Sequence, residues 1–133
     1  MPLDRPTELR DDYQLTYRVI AMPADTNYRG DVFGGWIMSQ VDIAGSVLAV
    51  RETRGRVATV AVKDFHFIAP VLIGDLVSCY SRVERVGNTS ITIQVEVYVG
   101  RQFDDPKLHR VATALLTYVA LDEQGRPRPA AGP

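Results

Sequence analysis

A long apolar run in the first half of the chain, Trp36 to Val50, limits the possible folds more than any other feature. It follows a polar, glycine-containing stretch, and its apolar residues lie on almost every side of a helix. A helix of that kind belongs in the middle of a domain, because no side of it is suited to water. We therefore expect one buried helix that begins near Gly34 or Gly35 and ends by Gly55.

Asp42 is the one ionisable residue inside this apolar run. Burying a bare carboxylate is costly unless the group is paired, hydrogen-bonded or part of a site. In the functional interpretation, the helix presents Asp42 as a catalytic carboxylate. In the structural interpretation, Asp42 is a buried acid bonded to a neighbouring backbone or Ser/Thr group. The run itself leaves both interpretations open.

Five other segments have the alternation and the β-branched or aromatic content of strands. They are Gln14 to Met22, Val57 to Ile68, Asp75 to Val86, Thr89 to Val99 and Leu108 to Leu121. Consecutive strands joined by short turns favour an antiparallel sheet, and one helix can cover one face of it. We therefore predict an α+β fold in which a curved antiparallel sheet wraps around one long central helix. Because the helix is apolar on its outward side too, we expect a second copy to cover it in at least a dimer.

The 133 residues fit a single domain, 1–133, with a flexible arm at 1–12 and an extended tail at 122–133. The net charge of −1 provides no basic field for nucleic acid or an anionic membrane. No signal peptide or membrane-spanning run is visible, so the expected location is the cytoplasm. The single cysteine, Cys79, fits a reducing compartment, and its place in mid-strand is typical of a core residue.

Three stretches of the chain are more specific: MPADTNYRGDVFGGWIMSQVD, GRVATVAVKDFHFIAPVLIGDLV and TYVALDEQGRPRP. Together they resemble the bacterial YciA-type acyl-CoA thioesterases of the hotdog fold. The similarity covers Val19 to Pro129, and its most specific part is the pattern NxxGDxFGGWxMxxxD, which ends at Asp42. The resemblance implies hydrolysis of acyl-CoA to a free acid and coenzyme A, without a further cofactor. It also implies a site at a dimer interface and a hexamer built as a trimer of dimers.

Thioester hydrolysis needs a group that drives the attack and donors for the negative oxygen that develops. Asp42 is the candidate for the first role, as a general base on water or as a nucleophile that forms a mixed anhydride. Backbone N–H groups at the helix start, from Gly35 helped by Gly34 or Trp36, are the candidate donors. Alternatively, the two glycines only allow tight packing of loop against helix. Asn27 matches the family's Asn and would bind the water or the thioester oxygen; its structural alternative is an Asx turn.

The spacing of Gly35 and Asp42 predicts how many chains form the site. Seven residues are about two helical turns, so the two residues share a face and lie roughly 10 Å apart along the axis. One thioester carbon can hardly touch both. Two antiparallel helices across a two-fold axis would bring Asp42 of one protomer towards Gly35 of the other. We therefore predict a composite site made by two chains.

Coenzyme A also needs a phosphate-binding surface and a slot for pantetheine. The candidate substrate-binding residues are Trp36, Val60, Val62, Arg82, Asn88, Thr89, Ser90 and Arg126. The edge that carries Val60 and Val62 would bond the pantetheine amides as an added strand does. Arginines pair well with phosphates, although a solvated surface charge is the alternative for each one. Asn88 stands where the family usually has Arg, so one phosphate contact is absent or supplied from elsewhere.

Two other functions fit some of the same residues. His66 with Asp42 would form the His–carboxylate pair of a hotdog enoyl-CoA hydratase or dehydratase. A non-catalytic acyl-CoA-binding module would retain the groove without turnover. No metal site is predicted, because the two histidines and one cysteine lack short ligand spacing. The expected partners are therefore acyl-CoA and further copies of the chain, with neither nucleic acid nor membrane.

Overall fold

The computed structural model describes residues 5–101 and 107–132 of the chain. The elements in chain order are strand β1 (Gln14–Ile20), a 3₁₀ turn (Pro23–Asp25), helix α1 (Gly34–Thr53), and strands β2 (Val57–Phe67), β3 (Leu76–Val86), β4 (Ser90–Gly100) and β5 (His109–Ala120). The predicted helix and all five predicted strands are confirmed, and each boundary lies within two residues of its expected place. No helix in the described part of the chain combines the length and hydropathy needed to cross a bilayer.

The five strands form one sheet in the order β1-β3-β4-β5-β2, and every neighbouring pair is antiparallel. β3, β4 and β5 pair consecutively, as the short turns predict. β2 instead pairs with β5, so the chain crosses from one edge of the sheet towards the other between residues 68 and 75. Pro70 and Gly74 interrupt this segment, and Gly74 has a φ of +85°, which a glycine adopts without strain.

The core lies between the concave face of the sheet and α1. One face of β4 contributes five fully buried aliphatic side chains: Ile91, Ile93, Val95, Val97 and Val99. They pack with Val41, Ala44 and Leu48 of α1 in one cluster. Each large side chain buried in this way stabilises the fold by roughly 1.5–3 kcal/mol before the entropy of ordering it is counted. The α+β arrangement of a sheet around one central helix is therefore confirmed.

The N-terminal segment differs from the predicted mobile arm. Leu9 and Tyr13 are buried against Tyr80, Tyr98 and Leu108 on the sheet face opposite the helix. The prediction failed because the apolar residues of this segment are isolated in sequence and show no periodicity. Residues 1–4 of the predicted arm lie outside the described part.

The C-terminal tail is folded back rather than extended. A turn at 122–125 is held by the Asp122 carboxylate, which accepts hydrogen bonds from the amides of Gln124 and Arg126. Leu121 then bridges to Pro127, and the buried Ala130 donates its amide to the carbonyl of Asn88. The Pro/Gly-rich sequence therefore forms a hairpin beside the β3–β4 turn. Residue 133 lies outside the described part.

The end of α1 also differs from expectation. Arg54, with φ 59°, is the left-handed C-cap residue, where Gly55 was expected. Gly55 instead gives room to the tail: a Cβ there would displace the guanidinium of Arg128. The tail thus packs directly beneath the end of the helix.

Candidate active site

Asp42 lies in the middle of α1, half-buried, and its side chain faces β2 and β5. The hydroxyl of Thr59 donates to Asp42 Oδ1 at 2.6 Å. The hydroxyl of Tyr118 lies 3.2 Å from the same oxygen and 2.8 Å from the Asp42 main-chain carbonyl. Thr59 and Tyr118 are directly opposite each other in the β2–β5 ladder. One rung of the sheet therefore holds one oxygen of the carboxylate.

The second carboxylate oxygen, Oδ2, is left available. Within residues 5–101 and 107–132, it accepts no described hydrogen bond, and no cationic side chain is paired with Asp42. Burial, followed by the charge of Asp42, raises the pKa of the Tyr118 phenol above its usual range, so this hydroxyl remains a donor. The carboxylate is thus oriented by neutral donors and keeps one oxygen free for chemistry. The Ser/Thr contact of the structural interpretation is present, but it does not occupy the whole group.

The start of α1 provides free backbone donors. Phe33 is the N-cap residue and gives no side-chain cap, whereas the amides of Trp36 and Ile37 both donate to the Phe33 carbonyl, at 3.1 and 3.3 Å. In the described part of the chain, the amides of Gly34 and Gly35 have no acceptor. Of the three candidate oxyanion donors, Trp36 is therefore engaged within the helix, and the two glycines remain.

The two glycines differ in the space around them. A Cβ on Gly35 would meet nothing within 4 Å, so the backbone at this position is open to an approaching group. A Cβ on Gly34 would lie 3.1 Å from the ring of Phe67, so tight packing is the reason for glycine there. Gly34 therefore fits the interpretation in which glycine allows tight packing. Gly35 fits the one in which glycine lets a substrate oxygen approach the backbone.

Asn27 forms the Asx turn of the structural interpretation. Its side-chain Oδ1 accepts hydrogen bonds from the main-chain amides of Arg29 at 2.9 Å and Asp31 at 3.2 Å. The main-chain amide of Asn27 donates to the Asp31 carbonyl. Because both main-chain N–H groups need an acceptor, the side-chain atom that they contact must be the oxygen Oδ1 rather than the nitrogen Nδ2. The Nδ2 group has no partner among the described residues, so it can donate to a substrate oxygen but Oδ1 is already occupied.

α1 is continuous from Gly35 to Asp42, so within one chain the helix holds the two apart along its axis. The outward face of the helix and the adjoining edge of β2 expose apolar side chains. They are Met38 (42%), Ile43 (43%), Val50 (44%), Val60 (58%) and Val62 (41%). Exposed apolar side chains in this number on neighbouring elements are typical of an interface.

An open groove of about 380 Å³ lies beside the start of α1. Its walls are Val32, Gly34, Ile37 and the segment 67–71. Trp36, one of the candidate substrate-binding residues, is half-buried and packs against the main core instead. The side chains that line the groove are apolar, and Gly34 in its wall places it beside the free amides of the helix start.

The other candidate binding residues fall into three places. Val60 and Val62 lie on β2, which is an edge strand as predicted. Asn88, Thr89 and Ser90 lie at the β3–β4 turn, which the folded tail that carries Arg126 contacts through the Ala130–Asn88 bond. Arg82 lies elsewhere: its guanidinium stacks on the Tyr13 ring at 5.4 Å and pairs with Glu84 at 2.5 Å. The structure therefore brings the turn and the tail together, and it leaves Arg82 with the N-terminal segment.

Sequence reasoning missed Thr59 and Tyr118. Both are ordinary strand residues in the sequence, and their meeting depends on the pairing of β2 with β5, which are not consecutive. The only available signal was indirect: a buried acid at position 42 requires hydroxyl or amide donors from somewhere.

The alternative chemistries receive no support from the geometry. The Cys79 thiol is fully buried, and burial raises its pKa to about 12. His66 is seven residues along β2 from Thr59, roughly 20 Å away, so it does not pair with Asp42 of the same chain. Among the described residues, no group of three His, Cys, Asp or Glu side chains is placed to hold a metal ion.

Comparison with known proteins adds independent information. The thioesterase superfamily model matches residues 29–102. The acyl-CoA thioester hydrolase YciA of Escherichia coli (strain K12) is 47% identical over 116 residues, 86% of this chain and 88% of that protein. Among solved structures, a hexameric thioesterase from Yersinia pestis matches with a TM-score of 0.82 and 47% identity, over 87% of this chain and 94% of that one. A hexameric hotdog-fold thioesterase of Campylobacter jejuni matches with a TM-score of 0.83 and 43% identity, over 90% and 92%.

Proposed function

Because this chain belongs to the thioesterase superfamily and is an acyl-CoA thioester hydrolase of the YciA type, we propose that Asp42 drives the hydrolysis. The observation that carries the proposal is the state of its carboxylate: Oδ1 is held by two hydroxyls and Oδ2 is free. The hotdog fold places this group where the helix meets the sheet. The reaction converts an acyl-CoA and water to a carboxylic acid and coenzyme A.

Both routes for the acid use the free oxygen. As a general base, Oδ2 takes a proton from the water that attacks the thioester carbon, and the C–S bond then breaks to release the CoA thiolate. As a nucleophile, Oδ2 bonds to the same carbon, and the C–S bond breaks to release the CoA thiolate and leave a mixed anhydride. Water then cleaves this anhydride to the free acid and restores the Asp42 carboxylate. Neither route needs a metal or a further cofactor. In both, negative charge develops on the thioester oxygen and requires donors.

We assign this role to three groups of the partner chain: the Gly35 amide first, and the Gly34 amide and Asn27 Nδ2 as further donors. An unpaired amide at the positive end of a helix contributes a few kcal/mol when it meets a developing oxyanion. Within one chain, the helix separates these donors from Asp42 by about two turns. A partner helix that runs antiparallel across a two-fold axis would bring the two halves together.

The assembly follows from the same surface. The apolar side chains on the outward face of α1 and on β2 would be covered by a second copy. The relatives from Yersinia pestis and Campylobacter jejuni are hexameric, which supports a trimer of such dimers here. Val60 and Val62 then lie within the interface, at the edge strand beside which the substrate would bind.

For the substrate, the apolar groove beside Gly34 is the candidate for the acyl chain, because it adjoins the amides that would hold the carbonyl. The β3–β4 turn and Arg126 are the candidates for the CoA phosphates. The predicted binding of CoA by Arg82 stays a prediction, because the CoA would have to reach the outer face of the sheet.

The test is the release of free thiol from a panel of acyl-CoAs by wild type and Asp42→Asn, with CoA binding measured by calorimetry. We expect turnover by wild type and a kcat about a thousandfold lower in the variant, with CoA affinity unchanged. Binding without turnover by wild type would indicate an acyl-CoA-binding module. Hydration of an enoyl-CoA without thiol release would indicate a hydratase. Turnover by the variant at the wild-type rate would remove Asp42 from the mechanism.

A further inference from the structure

Asp42, Gly45 and Tyr118 form a contact that ties the core of the fold to the reacting carboxylate. Tyr118 is fully buried in the main core, and its hydroxyl bonds the main-chain carbonyl of Asp42 on the helix. Gly45 is also buried, three residues after Asp42 and thus on the same side of α1. A Cβ on Gly45 would overlap the Tyr118 hydroxyl. The glycine therefore creates the notch into which that hydroxyl fits.

The hydroxyl in this notch makes contacts beyond those of an ordinary buried tyrosine. A buried Tyr needs one acceptor, and the Asp42 main-chain carbonyl at 2.8 Å would be sufficient. The same hydroxyl also lies 3.2 Å from Asp42 Oδ1, opposite the Thr59 hydroxyl at 2.6 Å. It thus contacts both the helix turn that carries the acid and the acid itself. Rotation of the carboxylate would break these contacts.

We propose that Gly45 and Tyr118 act as a positioning pair, which fixes the turn and the carboxylate of Asp42 so that Oδ2 faces the substrate. The inference rests on the proposed role of Asp42. Tyr118 itself touches neither substrate nor water in this scheme. Its effect on the reaction passes through the orientation of Asp42.

The test uses Tyr118→Phe, Gly45→Ala and the double variant, assayed on the acyl-CoA that wild type hydrolyses fastest. Tyr118→Phe keeps the ring but removes the hydroxyl, and we expect kcat to fall about tenfold with KM unchanged, since binding contacts remain. Gly45→Ala should lower kcat at least as far, because the methyl group displaces the hydroxyl.

The double variant separates a shared contact from two independent defects. Without the hydroxyl, the nearest ring atoms to a Cβ at position 45 lie at 3.1 and 3.2 Å, a tight contact that a small shift relieves. We therefore expect the double variant to be no less active than Gly45→Ala and to unfold at a higher temperature than it does. Non-additivity of this kind is the signature of residues in direct contact.

Tyr98→Phe is the matched control, because Tyr98 is equally buried but bonds Glu96 on the opposite face of the sheet. It should leave kcat unchanged. Tyr118→Phe with wild-type kcat, or losses that multiply in the double variant, would overturn the positioning pair. If Asp42→Asn is inactive while Tyr118→Phe behaves as wild type, the positioning inference alone fails. If Asp42→Asn retains turnover, the proposed function fails first.

Discussion

Asp75 and Asp42 are both held by hydrogen bonds from the sheet region, and their surroundings differ. Asp75, at the start of β3, is 1% exposed and accepts hydrogen bonds on both oxygens. Arg101 donates to both from Nε and to one from Nη2, and the Leu72 amide donates at 2.8 Å. On one oxygen, the half-buried Asp42 carboxylate accepts from the Thr59 hydroxyl and contacts the Tyr118 hydroxyl, and no cation in the described part of the chain pairs with it.

The difference distinguishes an acid that holds structure from an acid that can react. The ion pair of Asp75 neutralises its charge, and Arg101 also bonds the Pro70 carbonyl, so the pair fixes the crossing from β2 to β3. Hydrogen bonding to Asp75 raises the pKa of the Arg101 guanidinium further, so the guanidinium keeps its charge. Asp42 is oriented without being neutralised, and half of its hydrogen-bonding capacity is unused. We interpret the fully hydrogen-bonded carboxylate of Asp75 as structural and the partly bonded carboxylate of Asp42 as the reactive one.

The same isosteric change in each acid should produce opposite results. Asp42→Asn should lower kcat about a thousandfold with little effect on stability. Asp75→Asn should lower the free energy of unfolding by about 3 kcal/mol, because it leaves Arg101 without its counter-charge, while folded enzyme retains its kcat. Denaturant unfolding and thiol release on both variants measure this. Loss of stability in the first and loss of kcat in the second would reverse the assignment.

A smaller effect is expected from the donor that holds Asp42. Thr59→Val keeps the shape of the side chain but removes the hydroxyl from Oδ1, so kcat should fall about tenfold. Thr117→Val is the matched control, because Thr117 belongs to the same β2–β5 pair and its hydroxyl faces Thr92 rather than Asp42. Equal activity in Thr59→Val and wild type would show that Tyr118 alone orients the acid.

Cys79 extends the comparison to a buried group that has neither a donor nor a cation. Burial raises the pKa of its thiol from 9.0 to about 12, so the folded protein keeps the thiol neutral. Its contribution to stability is complete below pH 9 and is lost as the pH rises towards 12, because only the unfolded chain then releases the proton. We expect no reaction of native protein with a thiol reagent at pH 8 and a steeper alkaline loss of stability than in Cys79→Ala.

The sequence was sufficient for the secondary-structure elements and for part of the candidate site. The apolar helix, the alternation in β4 and the Asp42–Gly35 spacing are local patterns, and local patterns are what a sequence displays. Thr59 and Tyr118 were not predictable, because the β2–β5 pairing that joins them skips two strands. The packed N-terminal segment was missed because Leu9 is a single apolar residue in a polar stretch, and the folded tail because a Pro/Gly-rich sequence shows no periodicity.

The central claim is that Asp42 of one chain acts with the helix start of another. Gly35→Pro removes the amide at a first-turn position that tolerates proline, and Gly35→Ala keeps it as the control. Asp42→Asn and Gly35→Pro chains, each inactive alone, are refolded together, and the mixed assemblies are purified by two different tags.

A composite site predicts that one of the two sites in each mixed dimer is intact, so activity recovers to as much as half of wild type. If each site lies within a single chain, every site in the mixture carries one defect. Mixed assemblies as inactive as the parents would then contradict the account.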